Sequence, residues 1–371
     1  MKILIAAGGT AGHINPALAI AGQLKKKYPE AEIAFAGRKK GMEYRLVSQA
    51  GYAFWPIEVH GFQRSFTPRN IFRNISALFW LLVSPIRANA ILRRVRPQLV
   101  IGTGGYVSGP VVRVAAKKGI RTAIHEQNAF PGVTNKLLAP LVNVVFAAVP
   151  AAVQKLGTPQ KTVVCGNPVR PAIAQADRAA ARQKMGISQD QTVILSFGGS
   201  LGAMRVNQVI ADLAAWHTQN RNFRHIHATG QYGVELFAQL SAQKGFTGSD
   251  KMDVREYIQD MPDCLAAADL VICRSGALTL AELESVGRAS VLIPSPNVAE
   301  NHQYFNALEL EKAGAACVIE EKDLTGEGLI KLVDSLTAEP DRLRIMGMCA
   351  KKCGEPRSLE IIGEKLAELL K

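Results

Sequence analysis

Gly8-Gly9-Thr10-Ala11-Gly12-His13 follows directly on the apolar run KILIAA. A glycine turn at the end of a strand exposes backbone N–H groups, and the helix expected after it adds the positive end of its dipole. Such a turn binds phosphate oxygens without any side-chain charge. The arrangement recurs in QLVIGTGGYVSGP, TVILSFGGSLGA and DLVICRSGALTLAE. One such turn often does no more than pack a helix onto a strand. Four in one chain, with Gly8 to Gly12 echoed by Gly198-Gly199-Ser200-Leu201-Gly202, point to ligand binding. His13 adds an acid–base group, since an imidazole titrating near neutrality takes a proton from a hydroxyl nucleophile. Its plainer role is to cap the following helix.

Other polar groups stand at similar places. HEQN, residues 125–128, follows the strand-like TAI, and Glu126 is the sole acidic residue between Val59 and Ala176. A carboxylate in so basic a region is expected to have an arginine partner or a task in the site. Ser275 and Gly276 open a helical stretch in which Glu282 lies about two turns on, placed to accept ribose hydroxyls or simply to face solvent. NHQYFNA brings together His302, Gln303 and Asn306, whose amides suit sugar hydroxyls or helix caps. No D-x-D pair occurs, so a nucleotide diphosphate would be held by amides, helix dipole and an arginine such as Arg170 in place of a metal. A dinucleotide frame falls on Ala7, Gly9 and Gly12 and lacks its first glycine. The next strand ends in Gly37-Arg38-Lys39-Lys40, with no carboxylate for a ribose, which argues against NAD and leaves NADP as an alternative.

These residues need strands and helices to hold them. Apolar β-rich runs alternating with helical patterns indicate parallel sheets of βαβ units, and 371 residues are enough for two such domains. The glycine and prolines of VVCGNPVRPAI mark the seam, giving a first domain over 1–166 and a second over 167–355. The amphipathic end SLEIIGEKLAELL, within 356–371, either completes the second or returns to the first. Six scattered cysteines lack zinc or disulfide spacing and suit a reducing compartment. The N-terminus is too short in apolar residues for a signal h-region, and ALFWLLV is far short of a membrane span.

Charge divides the chain as well. Residues 1–176 hold 23 Lys/Arg against 5 Asp/Glu, whereas 177–371 hold 21 against 26. The basic half is suited to polyanions or an anionic membrane surface. FTPRNIFRNISALFWLLVSPIR mixes Arg69 and Arg73 with Ile75, Phe79, Trp80 and Leu82, which reads as an interfacial helix, or otherwise as a core helix with basic ends. No RNA-binding signature is present, so no nucleic-acid partner is expected.

In order, GGTAGHINPALA, GTGGYVSGP, HEQNAFPG, GNPVR, FGGSLGA, CRSGALTLAE and NHQYFNA form a set. This set resembles that of the MurG family, bacterial transferases that add N-acetylglucosamine to undecaprenyl-pyrophosphoryl-MurNAc-pentapeptide (lipid I to lipid II). The resemblance covers nearly the whole chain. It implies an α/β GT-B fold, two Rossmann-like doubly wound domains facing across a cleft, with the last helix returning to the first domain. It implies an inverting transfer from UDP-GlcNAc to the MurNAc C4 hydroxyl, with no cofactor or metal, at the cytoplasmic face of the cell membrane. His13 matches the proposed general base. Donor contacts would come from Thr10, Ala11, Gly12, Asn128, Arg170 and Ser200, from backbone groups of Ile258, from Ala277, Leu278, Thr279, Leu280, Ala281 and Glu282, and from Gln303. Acceptor contacts would come from Gly104, Gly105 and Tyr106 with Glu126 and Asn135, and the basic apolar stretch would dock on the membrane. Two positions depart from the pattern: Ala11 replaces a glycine usual in the first loop, and His302 stands where some relatives have glutamine. A methyl at Ala11 narrows the backbone approach and requires a φ that alanine tolerates. Rival readings are an NADP-dependent reductase, a basic membrane- or nucleic-acid-binding module without activity, and a GT-B transferase with another sugar or acceptor.

Overall fold

The computed structural model describes residues 1–59, 68–298 and 301–371, and gives only the backbone course of 68–79, 81, 82 and 340. The chain divides into two compact units, Met1–Arg170 with Glu355–Lys371, and Pro171–Gly354.

Unit 1 carries strands β1 (Lys2–Ala6), β2 (Glu32–Gly37), β3 (Ala53–Pro56), β4 (Leu99–Gly102), β5 (Arg121–Glu126), β6 (Val144–Ala147) and β7 (Thr162–Val164) in the order β3-β2-β1-β4-β5-β6-β7. Unit 2 carries β8 (Val193–Phe197), β9 (Arg224–Ala228), β10 (Met252–Arg255), β11 (Leu270–Cys273), β12 (Ala289–Leu292) and β13 (Ala316–Val318) in the order β10-β9-β8-β11-β12-β13. Every pairing is parallel. Each sheet runs outward in both directions from a central pair, which is the doubly wound Rossmann arrangement. Central strands such as LVIG and VILSF are buried along their whole length, because helices cover both faces of a parallel sheet.

The order reverses between β1 and β4 in unit 1 and between β8 and β11 in unit 2. Ligands bind such sheets at this switch point, beyond the carboxyl ends of the strands. The four glycine turns follow those four strands and no others. That coincidence ties the sequence pattern to the sheet topology.

The helix Ser358–Leu370 belongs to unit 1, where Ile362 and Leu366 join the core beside Ile14 and Ile20, and Lys27 Nζ donates to the Gly363 carbonyl. In the long helix Pro68–Val95, Ser84, Ala88, Ile91, Leu92 and Val95 are buried at helical spacing, while Ile86 and Arg87 face outward. Among the described residues no helix is long and apolar enough to cross a membrane.

Candidate active site

At the switch point of unit 1 the first turn leaves β1, and the helix Ala11–Lys27 starts at once, with the Thr10 carbonyl accepting from the His13 and Ile14 amides. Thr10 is exposed; Ala11, Gly12 and His13 are half-buried. Ala11 has an ordinary helical backbone, for Arg96 and Asn301 are the described non-glycine residues at positive φ. Alanine is therefore unstrained there, and Gly9, at φ +93°, makes the turn. The second turn, after β4, lies against the first. Gly105 sits at φ +76°, and a Cβ on it would overlap the Gly8 carbonyl oxygen, so both conformation and space demand glycine. Ser108 ties the pair, its hydroxyl lying 2.7 Å from the Ala6 carbonyl and 2.8 Å from that of Gly104. Tyr106 is 53% exposed at the start of the helix Gly105–Lys117.

His13 is not a helix cap. Its Nδ1 lies 3.2 Å from Gln127 Oε1. Gln127 Nε2 donates to the Thr103 carbonyl at 2.9 Å and lies 3.0 Å from His125 Nδ1, and His125 Nε2 lies 3.2 Å from the Gly166 carbonyl. Thr103 Oγ1 donates back to the His13 carbonyl at 2.8 Å. Thr103, His125 and Gln127 are buried. Burial, partly offset by the Gly166 carbonyl, pulls His125 down to about 4, so it stays neutral at physiological pH.

Glu126, just ahead of Gln127, is buried within its own loop. One oxygen accepts from the Asn128 backbone N–H at 3.0 Å and from Asn128 Nδ2 at 3.2 Å. The other accepts from the Gly132 N–H at 3.0 Å and from Asn135 Nδ2 at 2.8 Å. Four amide donors satisfy the two carboxylate oxygens and fold HEQNAFPG around them. Arg170, half-buried, closes the main segment of unit 1.

At the switch point of unit 2 the third turn, Gly198 to Gly202, has Gly199 at φ +97° and Gly202 at φ +87°. Ser200 is half-buried, and its carbonyl accepts from the Gln231 N–H at 3.2 Å. After β11 the helix Ala277–Val286 begins with Gly276 as its N-cap, a residue with no side chain to cap the helix itself. Ala277, Leu278, Thr279 and Glu282 are half-buried; Leu280 and Ala281 are buried. Cys273, at the end of β11, is raised by burial and then by the charge of Glu282, which places that carboxylate near the strand's end. Gln303 is bound to this turn: Ser275 Oγ donates to its carbonyl at 2.9 Å, and its Oε1 accepts from the Ser295 N–H at 2.9 Å. Ile258 is buried just beyond β10.

The NADP alternative meets an obstacle at the end of β2. Glu43 is buried there, accepts from the Arg38 N–H at 3.0 Å and fills the space beside Gly8, Gly37 and Gly41. A fixed carboxylate repels a ribose 2′-phosphate at this position. Of the residues expected to dock on a membrane, the side chains of Arg69, Arg73, Ile75, Phe79 and Leu82 lie outside the described ones, while the Arg87 guanidinium stands 5.2 Å above the Trp80 ring. Sequence reasoning missed Gln127 and Thr103. Both come immediately after a strand's carboxyl end, which in a parallel sheet is itself a signal.

Residues 3–147 match the glycosyltransferase family 28 N-terminal domain, and residues 193–360 match the family 28 C-terminal domain. A UDP-N-acetylglucosamine–N-acetylmuramyl-(pentapeptide) pyrophosphoryl-undecaprenol N-acetylglucosamine transferase of Acetivibrio thermocellus is 40% identical over 371 residues, covering 100% of this chain and 99% of the relative. A protein of the same description from Desulfitobacterium hafniense is 41% identical over 366 residues, covering 98% and 97%. The crystal structure of Acinetobacter baumannii MurG superposes with a TM-score of 0.73 at 28% identity, covering 99% of each chain. On this full-length likeness and on the two matched domains, the chain is a glycosyltransferase that belongs to family 28 and, within it, to the MurG group.

Proposed function

We infer that the chain transfers N-acetylglucosamine from UDP-GlcNAc to the MurNAc C4 hydroxyl of lipid I, producing lipid II for peptidoglycan. What carries this reading is the coincidence at the switch points: four glycine turns suited to phosphate, with one ionisable imidazole in the first. His13 takes the proton of the acceptor hydroxyl, the oxygen attacks the anomeric carbon from the face opposite the diphosphate, and UDP departs with inversion. The leaving diphosphate is met by amides of the Ser200 turn, by the positive end of the helix that starts at Ala277 and by Arg170. Glu282 accepts the ribose hydroxyls, backbone groups at Ile258 hold uracil, and Gln303 with Thr10, Gly12 and Asn128 holds the sugar. The residue set calls for no metal.

Gly104, Gly105 and Tyr106 receive the acceptor pyrophosphate. Glu126 and Asn135 serve that site by shaping its loop, with Asn135 Nδ2 donating to Glu126 Oε2 and to the His125 carbonyl, and the remaining Glu126 bonds going to Asn128 and the Gly132 amide. Docking is peripheral, at the cytoplasmic face of the membrane. It is supported by the basic excess of residues 1–176 and the Trp80–Arg87 pair. Exposed Val133, Leu137 and Leu141, around the helix Val133–Leu138, add apolar surface. The test is incubation with UDP-GlcNAc and a short-chain lipid I analogue, followed by mass analysis. A disaccharide product with an inverted linkage is expected. No product, or equal use of another nucleotide sugar, would refute the assignment.

A further inference from the structure

Gln127 has its amide orientation decided by its neighbours. Its Nε2 faces the carbonyls of Thr103 at 2.9 Å and of His125 at 3.2 Å, and carbonyls only accept. The oxygen end is therefore the one 3.2 Å from His13 Nδ1, and an amide oxygen also only accepts. The proton shared by this pair must sit on His13 Nδ1. His125 agrees with the same polarity: its Nε2 faces the Gly166 carbonyl and so carries the proton, leaving Nδ1 to accept from Gln127.

We propose that Gln127 is a positioning residue for the transfer: it holds His13 in the Nδ1–H tautomer and leaves Nε2 as the proton acceptor. Neutral histidine in water favours the opposite form, with the proton on Nε2, which donates and cannot act as a base. The network inverts that preference. Its polarity is anchored at two fixed carbonyls, Thr103 and Gly166, so it has no equally good reversed state. Gly104 backs the imidazole on its Nδ1 edge, where a side chain would collide with the ring, and Asn167 Nδ2 donates to the Gln127 carbonyl at 3.1 Å. The ring and its partner are thus held together by the turn after β4 and the loop after β5. This rests on His13 being the base, and the experiment separates the two claims.

Two-bond 1H–15N spectra of histidine-labelled wild-type protein, with His13 assigned by its loss in His13→Gln, show which nitrogen bears the proton. The expected result is Nδ1–H; Nε2–H in the wild type overturns the proposal without any variant. Gln127→Met keeps length and removes the acceptor. It should shift His13 toward Nε2–H and lower kcat by roughly 10²-fold, the scale of a misplaced general base, with KM for UDP-GlcNAc within about threefold. Gln127→Glu keeps an acceptor against Nδ1 and loses both donors, so it should restore the tautomer and part of kcat. A merely structural role ranks them the other way, because the carboxylate then faces the Thr103 carbonyl and His125 Nδ1. An unchanged tautomer or kcat in Gln127→Met overturns the proposal. Should His13→Gln retain near-normal kcat while the tautomer still follows Gln127, His13 as base fails and the tautomer assignment stands.

Discussion

The first and third glycine loops read almost alike, Gly8-Gly9-Thr10-Ala11-Gly12-His13 against Gly198-Gly199-Ser200-Leu201-Gly202-Ala203, and the chain leaves them differently. In unit 1 the helix begins at Ala11, with Gly12 already helical. In unit 2 it waits until Met204, because Gly202 is held at φ +87° against the backbone of Thr229 and Gly230. The early start puts His13 on the first helical turn, within reach of Gln127. The late start leaves Ser200 and Leu201 in an open turn, with an alanine where the histidine would stand. One pattern therefore yields a loop that carries a half-exposed imidazole and a loop that presents amides and the Ser200 hydroxyl.

The largest effect should come from removing the group that distinguishes them. His13→Ala is expected to lower kcat by about 10²- to 10⁴-fold while leaving UDP affinity, measured by calorimetry, within about threefold. Turnover near that of the wild type would mean that the two loops do the same work.

A second comparison separates the loops by stability. Gly202→Ala forces a positive φ on alanine and drives its methyl into the Thr229 carbonyl, so it should cost more than about 2 kcal/mol in urea melts. Gly12→Ala enters a helix with its nearest neighbour, Thr10 Oγ1, 3.4 Å away, and should leave stability unchanged or raise it by up to about 1 kcal/mol. Its cost should appear in KM for UDP-GlcNAc. Equal destabilisation by the two variants would remove the distinction drawn from the backbone.

The units also differ in how they use buried imidazole. In unit 2, His217, His225, Ser196 and His227 form a sealed chain, with contacts of 3.1, 2.7 and 2.8 Å. Burial lowers all three histidines, His217 to about 4 and His227 to about 3, with His225 also well below its ordinary value. Among the described residues, unit 1 buries His125 alone in this way, as the inner end of a network whose outer end is half-exposed His13. Because the folded-state values lie below 6.5, the unfolded chain binds protons first as pH falls. The stability from these groups is whole above about pH 7 and is lost as pH drops toward about 4. At pH 5 each sealed imidazole should cost on the order of 2 kcal/mol. Urea midpoints between pH 7.5 and 5.0 should fall accordingly, and His227→Phe should flatten the slope. An unchanged slope would assign the loss to other groups.

How far these distinctions can be read without coordinates depends on distance along the chain. The doubly wound fold was legible because each strand, turn and helix start is contiguous and repeats. The same local grammar marked His13, Ser200, Gly276 and Glu282. The loop difference was hidden, since it lies in one φ angle fixed by Gly230, far along the chain from Gly202. Gln127 was hidden because its partner is 114 residues away. Glu126 was marked as an oddity of charge, but its partners are amides that carry no charge to be noticed.

Ala11 gives the smallest effect and the sharpest test of the first loop. Its methyl replaces the hydrogen usual at this place in the family, and the sequence alone suggests a narrowed approach to the phosphates. The backbone suggests otherwise: Ala11 opens the helix without strain. Ala11→Gly should therefore lower stability by less than about 1 kcal/mol, through lost helix propensity. kcat and KM for UDP-GlcNAc should stay within about twofold, measured at saturating acceptor. A fall in KM beyond that would mean the methyl does press on the donor, and the loop's early helix start would then position His13 at the expense of donor binding.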